Sequence, residues 1–267
     1  LNFGGIFIDI TAQNNTKAAI VTGGNKGVGR GIVYSLVKAG INVCICYNSS
    51  EDFALETQEK ANEIAAGRSF LYKCDVSVRD EVKAMAAKTA GRFGGCDLLV
   101  NNAALQPNFP LGMYGMETFR RIWDVNIGGY FLCLQECLPY LKRSDCPRVV
   151  NIASIHSKRP SVFDAGYSMT KSAVKMFTRE AAIELAKYKI TVNCITLGAC
   201  QIEGKTGSFG GRWSVSVPEK AKTKTSFPLG RIARPKDVGD FIVYLAGKES
   251  EIITGTGIRI DGGSALL

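Results

Sequence analysis

The residues that decide the fold are Ala18-Ala19-Ile20-Val21 and, directly after them, Thr22-Gly23-Gly24-Asn25-Lys26-Gly27-Val28-Gly29. Four apolar residues in a row suit a strand buried on both faces. The glycines permit a tight turn, and a helical pattern then runs from Gly31 to Ala39. With a strand before and a helix after, such glycines let the backbone approach a pyrophosphate, and the helix N-terminus supplies free N–H groups and a favourable dipole. Gly23, Asn25, Lys26, Gly27, Val28 and Gly29 are therefore candidate dinucleotide-binding residues.

Outward from this unit the chain keeps alternating. Further strand patterns lie at Val43–Tyr47, Ser69–Tyr72, Leu98–Val100, Val149–Ile152, Thr191–Ile195 and Gly257–Ile260, all read as buried parallel strands. Between them fall helical patterns at Asp52–Ala65, Glu81–Phe93, Glu117–Leu141, Ala165–Lys187 and Lys236–Ala246, with Gly40 and Gly94 as stops. Alternation of this kind predicts an α/β fold: one Rossmann-type domain over residues 17–267, a doubly wound parallel sheet with helices on both faces. Residues 1–16 form an N-terminal extension outside it. The stretch 198–229 is rich in Gly, Ser, Lys and Thr, includes Trp213, and follows a strand's carboxyl end, where ligands of such sheets sit. It is expected to be a substrate lid.

Composition narrows the function classes. Hydrophobic residues make up 46% and charged residues 21%, as in ordinary globular proteins. No apolar run reaches the roughly 20 residues of a membrane helix, and neither end carries a secretory or anchoring pattern, so a cytoplasmic setting is expected. The nine cysteines are scattered, without Cys-x-x-Cys pairs, and read as reduced core thiols. With His156 as the one histidine, no metal site is expected. The net charge of +9 comes from residues spread along the chain, not gathered in a stripe, which argues against a nucleic-acid partner.

The second strand ends Cys46-Tyr47-Asn48-Ser49-Ser50, with no carboxylate before Glu51. An acidic residue there would bond the ribose 2′-hydroxyl of NAD. The neutral donors Asn48, Ser49 and Ser50, with Lys26, favour the 2′-phosphate of NADP, and NAD remains possible. Further on, Tyr167-Ser168-Met169-Thr170-Lys171 places a phenol and an ammonium four residues apart on one helix face. A neighbouring cation stabilises a phenolate and draws its pKa from about 10 towards neutrality.

With these motifs in order the chain resembles the short-chain dehydrogenase/reductase family from Lys17 to its C-terminus. The resemblance is carried by the glycine loop, Asp75 in Cys74-Asp75-Val76, Asn101-Asn102-Ala103-Ala104, Asn126 in Asp124-Val125-Asn126, Ser154, Tyr167, Lys171, Gly255 and Asp261-Gly262-Gly263. It implies catalytic roles for Asn126, Ser154, Tyr167 and Lys171. Tyr167 would be the general acid in reduction and the base in oxidation. Lys171 would lower its pKa and bond the nicotinamide ribose, Ser154 would hold the substrate oxygen, and Asn126 would support a relay water. Asp75 and Val76 would meet the adenine, and Asn102 and Ala103 the inner ribose.

Two departures stand out. Leu197-Gly198 replaces the family's usual Pro-Gly, and Ile202 replaces a threonine that often holds the carboxamide, so Gly198 and a neighbour such as Thr206 would grip the cofactor differently. His156 lines the pocket or is merely structural.

The implied activity is hydride transfer between a nicotinamide cofactor and a carbonyl or secondary-alcohol substrate, a sugar, polyol or other small carbonyl compound. One alternative is a 3-oxoacyl-acyl carrier protein reductase, weakened by Asp145 and Tyr188 where basic residues are typical, although Arg143 and Lys187 lie close by. Another, of a different class, is a catalytically dead nucleotide-binding regulator. The resemblance also implies a homo-oligomer, a tetramer or dimer. Phe131, Leu132, Leu134, Met176 and Phe177 exceed one sheet-facing stripe and either meet a second copy or face the chain's own core.

Overall fold

The computed structural model describes residues 16–162, 164–202 and 227–267. Seven strands form one parallel sheet in the order β3-β2-β1-β4-β5-β6-β7. They are β1 (Ala18–Thr22), β2 (Asn42–Tyr47), β3 (Ser69–Lys73), β4 (Leu98–Asn101), β5 (Arg148–Ser154), β6 (Thr191–Leu197) and β7 (Gly257–Ile260). The helices are α1 (Gly27–Lys38), α2 (Glu51–Ile64), α3 (Arg79–Phe93), α4 (Met116–Trp123), α5 (Gly129–Leu141), α6 (Ala165–Leu185) and α7 (Pro235–Leu245). No helix among the described residues is long and apolar enough to cross a membrane.

Residue parity along the strands sorts the core into two layers, because successive side chains point to opposite faces. Ile20, Cys44, Cys46 and Leu99 point to the face covered by α3, α5 and α6, where they meet Met85, Cys133 and Leu185. Ala19, Val21, Val43, Ile45, Leu98 and Val100 point to the other face, against Ile32 and Leu36 of α1 and Val238 and Ile242 of α7. Strands covered on both sides need apolar residues at every position, which is why they read as continuous runs. β7 departs from the expectation of a buried strand: Gly257 and Arg259 are exposed, because this strand lies at the sheet edge.

The expected helix Glu117–Leu141 is interrupted. Residues Asp124–Gly128 form a π-turn between α4 and α5, a wider coil that carries Asn126. The end of Ala165–Lys187 tightens into a 3-10 turn at Ala186–Tyr188. Gly94 stops α3 as expected, in the left-handed conformation at φ 83°. Leu134 lies in the chain's own core, so it drops out of the outward-facing set. Residues 1–15, and most of the expected lid with Thr206 and Trp213, lie outside the described residues.

Candidate active site

Strand order reverses beside β1, whose neighbours are β2 and β4, and in sheets of this kind ligands bind beyond the carboxyl ends of the strands at that point. Thr22, the last residue of β1, clasps the end of β4. Its hydroxyl accepts the backbone N–H of Asn102 (2.9 Å) and of Ala103 (3.0 Å). The Asn102 amide returns two bonds, to the carbonyls of Thr22 (2.9 Å) and Gly23 (3.1 Å). The glycine loop is thus tied to the Asn101-Asn102-Ala103 segment on its far side.

The loop's geometry requires its glycines. Gly23 has φ +62°, and a Cβ on Gly29 would lie 2.1 Å from the Gly23 carbonyl oxygen. No side chain caps the N-terminus of α1, where Lys26 occupies the N-cap. An uncapped helix start behind a glycine-rich loop is a donor set that suits a pyrophosphate, so these residues fit a dinucleotide. Asn25 faces inward instead, its amide donating to the carbonyls of Ser49 (3.0 Å) and Ser50 (3.2 Å). This bridge holds the glycine loop to the end of β2, where Asn48, Ser49 and Ser50 are exposed, as is Lys26.

Asp75 has acquired partners that the sequence did not suggest. Asn48 donates to it at 3.2 Å, the Ser77 hydroxyl at 2.6 Å, and Arg121 forms an ion pair with it. Val76 is buried against Gly129 at the start of α5. On the opposite wall, Gly198 leaves no room for a Cβ beside Asp261, and the Ile202 side chain reaches the Gly27 position of the loop. The first residues after β6 therefore cross over the phosphate loop.

Ser154 ends β5, and Tyr167 and Lys171 lie in the first two turns of α6. The Ser154 hydroxyl accepts the His156 N–H at 3.2 Å and lies within bonding reach of the Tyr167 phenol. Lys171 is buried, with its ammonium 5.5 Å from the Tyr167 ring centre and 5.1 Å from that of Tyr130. It donates to the Ile152 carbonyl (2.7 Å) and the Tyr130 hydroxyl (3.1 Å), which itself donates to Ile152 (3.2 Å). Asn126 is locked by its side chain: it accepts from the Leu105 N–H (2.7 Å) and donates to the Leu105 carbonyl (2.9 Å) and Thr170 (3.1 Å). The amide is therefore occupied by protein.

In the chain by itself, burial opposes the pairing expected of Tyr167 and Lys171. Burial pushes the Tyr167 phenol up to about 12, against a smaller lowering by the Ser154 hydrogen bond and a further rise from Asp164. Burial also pulls Lys171 down to about 7, so the lysine loses much of the charge that would have drawn the phenol down. Desolvation outweighs the pairing in the chain by itself.

The comparisons with known proteins agree with this geometry. A family model described as enoyl-(acyl carrier protein) reductase matches residues 23–265. A 3-oxoacyl-[acyl-carrier-protein] reductase from Staphylococcus aureus is 32% identical over 248 residues, 93% of this chain and 98% of that protein. The chain belongs to the short-chain dehydrogenase/reductase family. As a member of this family it is an oxidoreductase of CH–OH groups, with an NAD(P) cofactor. A 3beta-hydroxysteroid dehydrogenase from Eggerthella lenta is also 32% identical, over 94% of each chain. Among solved structures, a short-chain dehydrogenase/reductase from Serratia marcescens superposes with a TM-score of 0.84 at 28% identity, covering 95% of this chain and all of that one. An acetoin dehydrogenase from Salmonella typhimurium gives 0.81 at 26% identity, covering 94% and 96%.

Sequence reasoning missed Thr22, Tyr130 and Asp164. Thr22 opens the glycine loop but gives no sign there of its bonds to the end of β4, and Tyr130 sits in an apolar run and looks like core. Asp164 lay three residues before Tyr167, in plain view.

Proposed function

We propose that this short-chain dehydrogenase/reductase transfers hydride between NADP and a small carbonyl or secondary-alcohol substrate, with Tyr167 as proton donor, Ser154 holding the substrate oxygen, and Lys171 supporting both the phenol and the cofactor ribose. The observation that carries the reading is the cluster at the end of β5: Ser154 beside the Tyr167 phenol, with the buried Lys171 ammonium 5.5 Å from the Tyr167 ring centre. NADPH, when bound, supplies the hydride. Charge then grows on the substrate oxygen, where two hydroxyls converge to stabilise it. A phenol pushed up to about 12 is fully protonated at neutral pH, which suits proton donation and so the reductive direction. Lys171 has three N–H bonds to give. Ile152 and Tyr130 take two, and the third is available on the Tyr167 side.

NADP is favoured over NAD by the exposed neutral donors Asn48, Ser49 and Ser50, with Lys26 at the neighbouring helix start. Asp75 and Val76 would meet the adenine, Asn102 and Ala103 the ribose, and Gly198 the nicotinamide side. The nine thiols, none of them in a disulfide, fit a reducing cytoplasmic setting. Exposed apolar residues on α5 and α6 fit a homo-oligomer. A second reading, reduction of acyl groups on an acidic carrier protein, draws support from one observation. Tyr188 lies under Lys142 (4.0 Å) and Lys187 (5.3 Å), so its surroundings are more basic than its own side chain.

Tyr167→Phe tests the mechanism. The ring stays and only the hydroxyl goes, so NADPH should still bind while turnover falls about 100-fold or more. A ketone, sugar and acyl-thioester panel followed at the NADPH absorbance band separates the two substrate readings. Near-normal turnover by the variant would overturn the assignment of the acid.

A further inference from the structure

Asp164 occupies the N-cap of α6, where an aspartate ordinarily accepts a first-turn N–H. Here the side chain makes no such bond. It is 1% exposed, and Gln106 donates to its Oδ2 at 2.9 Å while Oδ1 has no partner among the described residues. A buried carboxylate oxygen without a donor is rare in native proteins and asks for an explanation. The surroundings supply one. Gln106 and Tyr114 come from the segment after β4, His156 from that after β5, and Tyr167 from the first turn of α6. The Gln106 bond ties Asp164 to the segment after β4, and its N-cap position puts it three residues before Tyr167, so the carboxylate lies between that segment and the first turn of α6.

Gln106 fixes one oxygen and thereby orients the other. Both oxygens of a carboxylate accept and neither donates, so what the second lacks is a donor. We infer that Asp164 is a specificity-determining residue whose free oxygen accepts a hydrogen bond from a hydroxyl that the substrate carries close to its reacting carbonyl. The substrate class is then a hydroxyketone in the reductive direction and a diol in the oxidative one. This rests on the carbonyl chemistry proposed for Tyr167 and adds the neighbouring substituent. An analogue lacking the hydroxyl leaves the carboxylate buried and unmet, and sites of this kind reject such analogues strongly.

The test compares 3-hydroxybutan-2-one and 4-hydroxybutan-2-one with butan-2-one, using the full chain and NADPH. The unaltered enzyme should prefer the better hydroxyketone by about ten-fold or more in kcat/KM, as expected when a buried acceptor is satisfied by one ligand only. In Asp164→Leu and in the smaller Asp164→Ala that preference should collapse towards one. A ratio of substrates is blind to any misfolded fraction, so partial loss of folded enzyme does not blur the result. Absence of the preference in the unaltered enzyme overturns the assignment without recourse to any variant. Its persistence in either variant does the same. If the unaltered enzyme reduces butan-2-one but shows no preference, only this inference falls; if it reduces no ketone, the proposed function falls with it.

Discussion

At the scale of single residues, the site depends on how a buried ammonium is kept useful. Burial alone pulls Lys171 down to about 7, and the groups that face it are the Tyr130 and Tyr167 phenols and Cys194. The Tyr130 oxygen accepts from the ammonium and so favours its charged form. Tyr130→Phe removes that acceptor, so the Lys171 pKa should fall further and the charged form should be lost at lower pH. The alkaline limb of the rate profile is then expected to move to lower pH, with butan-2-one or any accepted ketone as substrate. An unmoved limb would mean that Tyr130 only fills space. Lys26 makes a second residue-scale prediction. It is exposed at the start of α1, next to the polar end of β2. Lys26→Glu should weaken NADPH binding by about ten-fold or more relative to NADH, since only NADPH brings a phosphate there. Titrations with each cofactor decide it, and equal losses would make Lys26 ordinary surface charge.

At the scale of elements, α1 packs on the sheet and leaves its first turn without a side-chain cap. Its buried stripe, Ile32, Val33, Leu36 and Val37, faces the sheet, while its uncapped first turn lies at the glycine loop. Gly29 lies where the two requirements meet. Gly29→Ala would force a Cβ against the Gly23 carbonyl, moving the helix start away from the loop. NADPH affinity should fall about ten-fold or more, the equivalent of roughly 1.4 kcal/mol, and the thermal midpoint should drop by several degrees. Unchanged affinity in a fluorescence titration would refute the cradle. The elements themselves were legible because doubly covered strands show as apolar runs and glycines mark the turns. What the sequence hid was local. The π-turn at Asp124–Gly128 has the same apolar spacing as the helices around it, so the run from Glu117 to Leu141 read as one helix. Burial works against the pKa argument for Tyr167 and Lys171, and the four-residue spacing shows their proximity but not how dry the pair is. Tyr130 was invisible for the same reason: within Gly129–Leu141 a hydrogen-bonding tyrosine and a packing one look alike.

At the scale of the whole molecule, α5 and α6 leave large apolar side chains exposed. Phe131 on α5 is 47% exposed, and Met176 and Ile183 on α6 are 54% and 78% exposed. Phe131 also stacks towards Phe177, with ring centres 6.1 Å apart, so the two helices present a joint ridge. A two-fold pairing of that ridge would brace the helix that carries Tyr167 and Lys171. Light scattering at micromolar concentration is expected to give a dimer or tetramer, and the pair Phe131→Asp with Met176→Asp should shift it towards monomer. A fully active monomer in the unaltered protein would refute the assembly. The same interior also holds a set of built-in reporters. All the cysteines except Cys200 are buried, and they are spread over β2, α5 and β6 among other elements. Cys44 is pushed up to about 12 by burial, so it presents almost no thiolate while β2 stays in place. A thiol reagent can then reach each sulfur only when its own element opens. The labelling rate of Cys44, Cys137 or Cys194 would time the opening of a strand or helix in the native protein, with no probe engineered into it.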